Sequence, residues 1–168
     1  MGKITGKASY LLISLAVLAV DQWTKWLIEV HLPAHSSQPL IPGLLSLTHV
    51  RNTGVAFGLF AAGGAGGAAW LLTLLGLAAL AAVGAYFWLA PRDNRLLLFA
   101  LALIVGGAIG NLLDRVVSGA VTDFIDVYLG VHHWPSFNVA DSAISIGIVT
   151  LAIDSFRSPK EAPSPAVS

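Results

Sequence analysis

The chain contains no cysteine, and only 11% of its 168 residues are Asp, Glu, Lys or Arg. The first absence excludes disulfides, thiolate metal sites and a cysteine nucleophile. The second leaves about half the charge of a soluble domain, which carries roughly 25%. In its place stand 56% hydrophobic residues and a positive mean hydropathy. Length and composition together describe one integral membrane domain. Nine basic residues balance nine acidic ones, so no net charge draws the chain to nucleic acid.

A bilayer core of about 30 Å takes about 20 apolar residues of helix. Residues 65–89, 96–117 and 139–156 supply three such stretches. The fourth, 10–30, is interrupted by Asp21, Lys25 and Glu29. Asp21 and Lys25 lie four apart on one helical face, where they can pair. Lys3 and Lys7 before an apolar run also resemble the start of a cleaved signal peptide. Trp23, Trp26 and Leu27 instead carry the helix on toward an interfacial aromatic belt, so it is read as retained.

Positive charge orients the four spans. Lys3 and Lys7, Arg92 and Arg95, and Arg157 and Lys160 all fall on one side, which is then cytoplasmic. Both termini are expected inside, and the loops 30–64 and 118–137 outside. The expected fold is an all-α membrane protein of four transmembrane helices. Residues 1–157 form its single domain, and the Pro- and Ser-rich 158–168 a disordered cytoplasmic tail. Residues 61–68, all Gly or Ala, read as a flexible approach to the second span. Gly106 and Gly110, with Gly107 beside them, permit close helix contact in the third.

In the first outer loop, Leu45 and Leu47 alternate with Ser46 and Thr48, as in a short strand. Asn52-Thr53-Gly54 follows as a turn, with Gly54 able to adopt positive φ. At the outer end of span three, Asn111 and Arg115 share a helical face beside Asp114. Arg115 either snorkels to the interface or joins Asn111 in lining a polar cavity.

Asp123 and Asp141 are the two residues that composition makes hardest to explain, because a carboxylate in or beside a membrane is costly. They are expected at facing ends of antiparallel spans three and four. Two adjacent carboxylates do not both ionise readily, and they share a proton. One can then deprotonate a water while the other donates to a carbonyl oxygen. Such a pair hydrolyses a peptide bond without metal, cofactor or covalent intermediate. Asn138 either binds a substrate carbonyl or caps the last helix. His132-His133, near Asp126, lacks the spacing of a metal site, and Asp154, at the inner end of span four, is expected to face water.

Five runs resemble the bacterial lipoprotein signal peptidase family, the type II signal peptidases. They are Asp21-Gln22-Trp23-Thr24-Lys25, Arg51-Asn52-Thr53-Gly54-Val55-Ala56-Phe57, Gly106-Gly107-Ala108-Ile109-Gly110-Asn111-Leu112-Leu113-Asp114-Arg115, Val121-Thr122-Asp123-Phe124-Ile125-Asp126 and Phe137-Asn138-Val139-Ala140-Asp141-Ser142. The resemblance implies an aspartic endopeptidase of the bacterial inner membrane. It implies cleavage of diacylglyceryl-modified prolipoproteins just before the lipidated cysteine, with membrane lipid as surroundings and no obligate protein partner. Asp123 and Asp141 would be catalytic. Asn52, Asn111, Arg115 and Asn138 would line the substrate site, with Asp21, Lys25, Gly54 and Asp114 in structural support. It also implies a small extracytoplasmic β-cradle. The alternative is a proton-coupled transporter, but its carboxylates should cross the bilayer, and these cluster at one side.

Overall fold

The computed structural model describes residues 6–54 and 64–157. The tail 158–168, Lys3, residues 55–57 and the first three residues of the small-residue run, 61–63, lie outside those residues. Four long helices, α1 (Ala8–His31), α2 (Gly64–Leu89), α3 (Arg95–Ser118) and α4 (Val139–Arg157), are each long and apolar enough to cross a membrane. Their outward faces carry Leu12, Leu15, Trp70, Leu74, Leu89 and Phe156, all well exposed. A soluble protein seldom leaves so much contiguous apolar surface uncovered; lipid is the medium that fits it.

Helix α3 is the axis of the bundle, because its small residues let neighbours approach the backbone. A Cβ on Gly106 would stand 2.7 Å from the Ser14 carbonyl of α1. One on Gly107 would stand 2.4 Å from the Ala140 carbonyl of α4. The Gly-rich pattern therefore serves two interfaces within one chain. At the end of the bundle away from the sheet, Phe87, Leu97, Leu98 and Leu101 form the apolar core.

Between α1 and α2 lie β1 (Ser37–Ile41) and β2 (Leu45–Asn52); between α3 and α4 lie β3 (Val121–Leu129) and the short β4 (His132–His133). They form one antiparallel sheet in the order β1-β2-β3-β4. The alternation at Leu45–Thr48 thus marks a real strand, with Ser46 and Thr48 on its buried face. The segment 118–137, expected as a loop, supplies the strand that completes the sheet. Gly119 makes this possible: at φ +72° it ends α3, its N–H donating to the Arg115 carbonyl. The left-handed conformation is one that glycine adopts without a Cβ penalty. The chain turns there and enters β3 two residues later. Asp123, expected at the outer end of span three, is consequently a strand residue beyond it.

Candidate active site

Asp123 sits on β3 opposite Val50 of β2. Asn52, two residues along β2, lies diagonally across the same face of the ladder, within reach of it. Its Nδ2 donates to Asp123 Oδ2 at 2.9 Å. The Asn52 Oδ1 in turn accepts from the Gly54 N–H at 2.8 Å, and Gly54 has φ +79°. The turn therefore fixes which end of the Asn52 amide faces the carboxylate.

Asp141 lies in the first turn of α4. Asn138 precedes that helix and its side chain accepts from the Asp141 N–H at 2.9 Å. The Asp141 carboxylate accepts from the Asn138 N–H at 3.2 Å. This reciprocal pair is a capping box with Asn and Asp in the two roles. The same Asn138 amide donates through Nδ2 to Asp123 Oδ1 at 2.8 Å and to Asn111 Oδ1 at 3.2 Å. Of the two sequence readings of Asn138 the cap is the one seen here, and the same amide also joins the polar cluster. It is fully buried.

Asn111 of α3 closes the circuit, donating from Nδ2 to Asp141 Oδ1 at 2.7 Å. Asp123, Asn138, Asn111 and Asp141 thus form one continuous hydrogen-bonded chain drawn from a strand and two helices. Behind it, Lys25 pairs with Asp21 at 2.8 Å and with Asp114 at 2.6 Å, as the i,i+4 spacing in α1 foretold for the first. Asp21 also accepts from the Ala140 N–H at 2.9 Å, which ties α1 to the start of α4. Gln22, which sequence reasoning passed over, donates to Asp114 at 2.8 Å and to the Gly110 carbonyl at 3.3 Å. Its one signal was its place inside the Asp21–Lys25 run.

One expectation needs correction, at Asp154. Arg115, at the outer end of α3, donates from Nη1 to the Asn111 carbonyl one turn back, at 3.2 Å. A half-buried guanidinium at the last turn satisfies a helix carbonyl in this way. Asp154 is half-buried and not simply solvated: it accepts from Asn94 Nδ2 at 2.8 Å. Among the described residues no group of three or more His, Asp or Glu side chains is placed to hold a metal ion. His133 pairs instead with Asp126 at 2.9 Å and stacks on Tyr128.

Burial pushes the Asp123 carboxyl up from 3.8 to about 6. The Asn52 hydrogen bond opposes that rise and the Asp141 charge adds to it, while Asn138 and Lys25 pull it down. Desolvation disfavours the charged form and neighbouring donors favour it; here desolvation prevails. Two cavities flank the pair. One of about 360 Å³ is lined by Arg51, Asn52 and Asp123, the other, of about 520 Å³, by Trp134, Phe137, Asp141 and Ile146. Pro135 and Ser136 line both. Residues 134–137 are held in place by Trp134 N–H donating to Val127 and by Phe137 bonding to Ile125 in both directions.

Four spans, a sheet at one end and a buried carboxylate–amide cluster between them define a polytopic membrane protein with a polar site. Residues 13–157 match the family model described as Signal peptidase (SPase) II. The lipoprotein signal peptidase of Desulforapulum autotrophicum is 48% identical over 138 residues, covering 82% of this chain and 85% of the relative. That of Syntrophus aciditrophicus is 39% identical over 153 residues, covering 90% and 94%. A bacterial membrane enzyme solved at 1.9 Å superposes with a TM-score of 0.77 at 32% identity, covering 90% of this chain and 95% of that one. The chain belongs to the signal peptidase II family, and it is a membrane peptidase.

Proposed function

We propose that this peptidase is an aspartic endopeptidase that removes signal peptides from lipid-modified prolipoproteins, cutting before the lipidated cysteine. The observation that carries the reading is the chain from Asp123 through Asn138 and Asn111 to Asp141. It holds two carboxylates from different elements at one buried point, with amide donors directed at both. Carboxylates in such surroundings titrate as a coupled pair and share a proton. The ionised member takes a proton from water as its oxygen attacks the scissile carbonyl carbon. The protonated member donates to the carbonyl oxygen. The tetrahedral intermediate then collapses, the C–N bond breaks, and a proton passes to the departing amine.

The named relatives are lipoprotein signal peptidases, which supports the prolipoprotein as substrate. The apolar cavity beside Asp141 offers Trp134, Phe137 and Ile146 to the hydrocarbon part of the substrate, and the cavity beside Asp123 offers Asn52 to its polar backbone. With the charge bias of the termini and of the α2–α3 turn, the site faces the outer leaflet of the bacterial inner membrane. Both termini then lie in the cytoplasm. Asn52, Asn111 and Asn138 orient the reacting groups, while Arg115 holds the end of α3.

The test uses purified full-length protein in lipid with a diacylglyceryl-modified precursor. Asp123→Asn and Asp141→Asn should each lower kcat by about 10⁴-fold or more, the scale on which essential members of a catalytic set are felt. Both variants should insert as the wild type does. Normal cleavage by either one overturns the paired-aspartate mechanism.

A further inference from the structure

We propose that Lys25 is a positioning residue that fixes which end of the Asn111 amide faces Asp141; this rests on reading Asp123 and Asp141 as the reacting pair. Lys25 is buried within α1 and forms its ion pairs with Asp21 and Asp114, not with Asp123 or Asp141. Its Nζ also donates to Asn111 Oδ1 at 3.0 Å. An ammonium has three donors and no acceptor, so the amide atom facing it has to be the oxygen. The atom left to face Asp141, at 2.7 Å, is therefore the NH₂. A flipped amide would aim N–H groups at an ammonium and a carbonyl oxygen at a carboxylate, unfavourable at both ends.

Among the described residues no other group fixes this amide as firmly. Asn138 Nδ2 also approaches Asn111 Oδ1, at 3.2 Å, but it is shared with Asp123 at 2.8 Å. The remaining bonds hold the ammonium in place. Asp21 is anchored on the Ala140 N–H and Asp114 on Gln22. Gly110 leaves the space: a Cβ there would come within 2.5 Å of Asp21 Oδ2. A cation on α1 thus sets, through an amide on α3, the donor presented to a carboxylate on α4. Lys25 acts on the reaction without touching the substrate.

The charged groups around Asp141 are Asp123 on β3, Asp21 and Lys25 on α1, and Asp114 and Arg115 on α3, so a single charge deletion would blur the result. Lys25→Met leaves two carboxylates without their cation, and the charge-balanced Lys25→Met/Asp114→Asn is measured beside it. With the lipid-modified precursor, the balanced variant should lose roughly 10–100-fold in kcat, the usual scale for an outer partner of a functional group. KM should stay within about threefold. In an Asn111→Ala background the same substitutions should cause no further loss of kcat, since the group they act through is gone.

An unchanged kcat in the folded balanced variant overturns the proposal. So does a loss that adds in full to that of Asn111→Ala, which is the signature of a purely structural role. If neither lysine variant folds, Lys25 is a folding requirement and the positioning role is withdrawn. A wild type that fails to cleave the precursor, or an Asp141→Asn variant that still cleaves it, overturns the aspartic-peptidase reading and this inference with it.

Discussion

Asn138 and Asp141 hold each other reciprocally, the side chain of each accepting from the backbone N–H of the other at 2.9 and 3.2 Å. The same contact that starts α4 therefore orients one of the two carboxylates. The two duties of Asn138 can be separated. Serine is a good N-cap but cannot span to Asp123. Asn138→Ser should keep the thermal midpoint near that of wild type and lower kcat about tenfold or more, the value of a hydrogen bond to a charged group. Asn138→Ala should lose the activity and a further ~0.5–2 kcal/mol of stability with the cap. Thermal unfolding and initial rates on the same preparations check both.

The buried Asp123 carboxyl makes stability depend on pH. Unfolded, it titrates near 3.8; folded, at about 6. Between those values the folded chain holds the extra proton, so the contribution of Asp123 to stability is most favourable below pH 4. It falls as pH rises to about 6, and is constant above. The size is on the order of 2 kcal/mol. Asp123→Asn removes the titration, so the stability difference of variant minus wild type should grow by that amount between pH 4 and 7. Thermal unfolding across that range checks the sign. A difference that shrinks would contradict it.

Gly110 and Gly84 should respond oppositely to alanine. At Gly110 the added carbon meets Asp21 Oδ2 at 2.5 Å, whereas at Gly84 no atom of the described residues lies within 4 Å. Gly110→Ala should cost about 1–3 kcal/mol by overpacking and also lower activity, because Asp21 is pushed from the Ala140 N–H. Gly84→Ala should change stability by less than about 1 kcal/mol and leave kcat alone.

Asn94 offers a control far from the site. Its Oδ1 caps α3 by accepting from the Leu97 N–H, and its Nδ2 donates to Asp154. Asn94→Ala should cost about 1 kcal/mol with kcat unchanged on folded protein. A large fall in kcat would mean that the two ends of the bundle are coupled.

Much of this architecture could be read from local patterns. Hydropathy located all four spans to within two residues of the helices observed, because lipid demands long uninterrupted apolar helix. The Asp21–Lys25 pair followed from helical spacing alone. Strand β3 did not, because the pairing that makes Val121–Leu129 a strand lies on β2, some 70 to 80 residues earlier in the chain. For the same reason Asp123 was expected at a helix end. Spacing placed Arg115 on the helical face of Asn111, but not the partner that its long flexible side chain selects, the Asn111 carbonyl. For Asn138 the helix cap was legible, but nothing local indicated that the same amide also reaches Asp123 and Asn111.

The two carboxylates belong to elements that do not touch in the unfolded chain and arrive by different routes. Asp123 comes with a strand that must dock on β2, and Asp141 with a helix that must pack on α3. Neither the helical bundle nor the sheet contains the pair alone. On the proposed aspartic mechanism, hydrolytic competence is therefore a property of the finished tertiary structure, and a nascent chain that has inserted its spans but not closed its sheet would carry no assembled protease into the membrane.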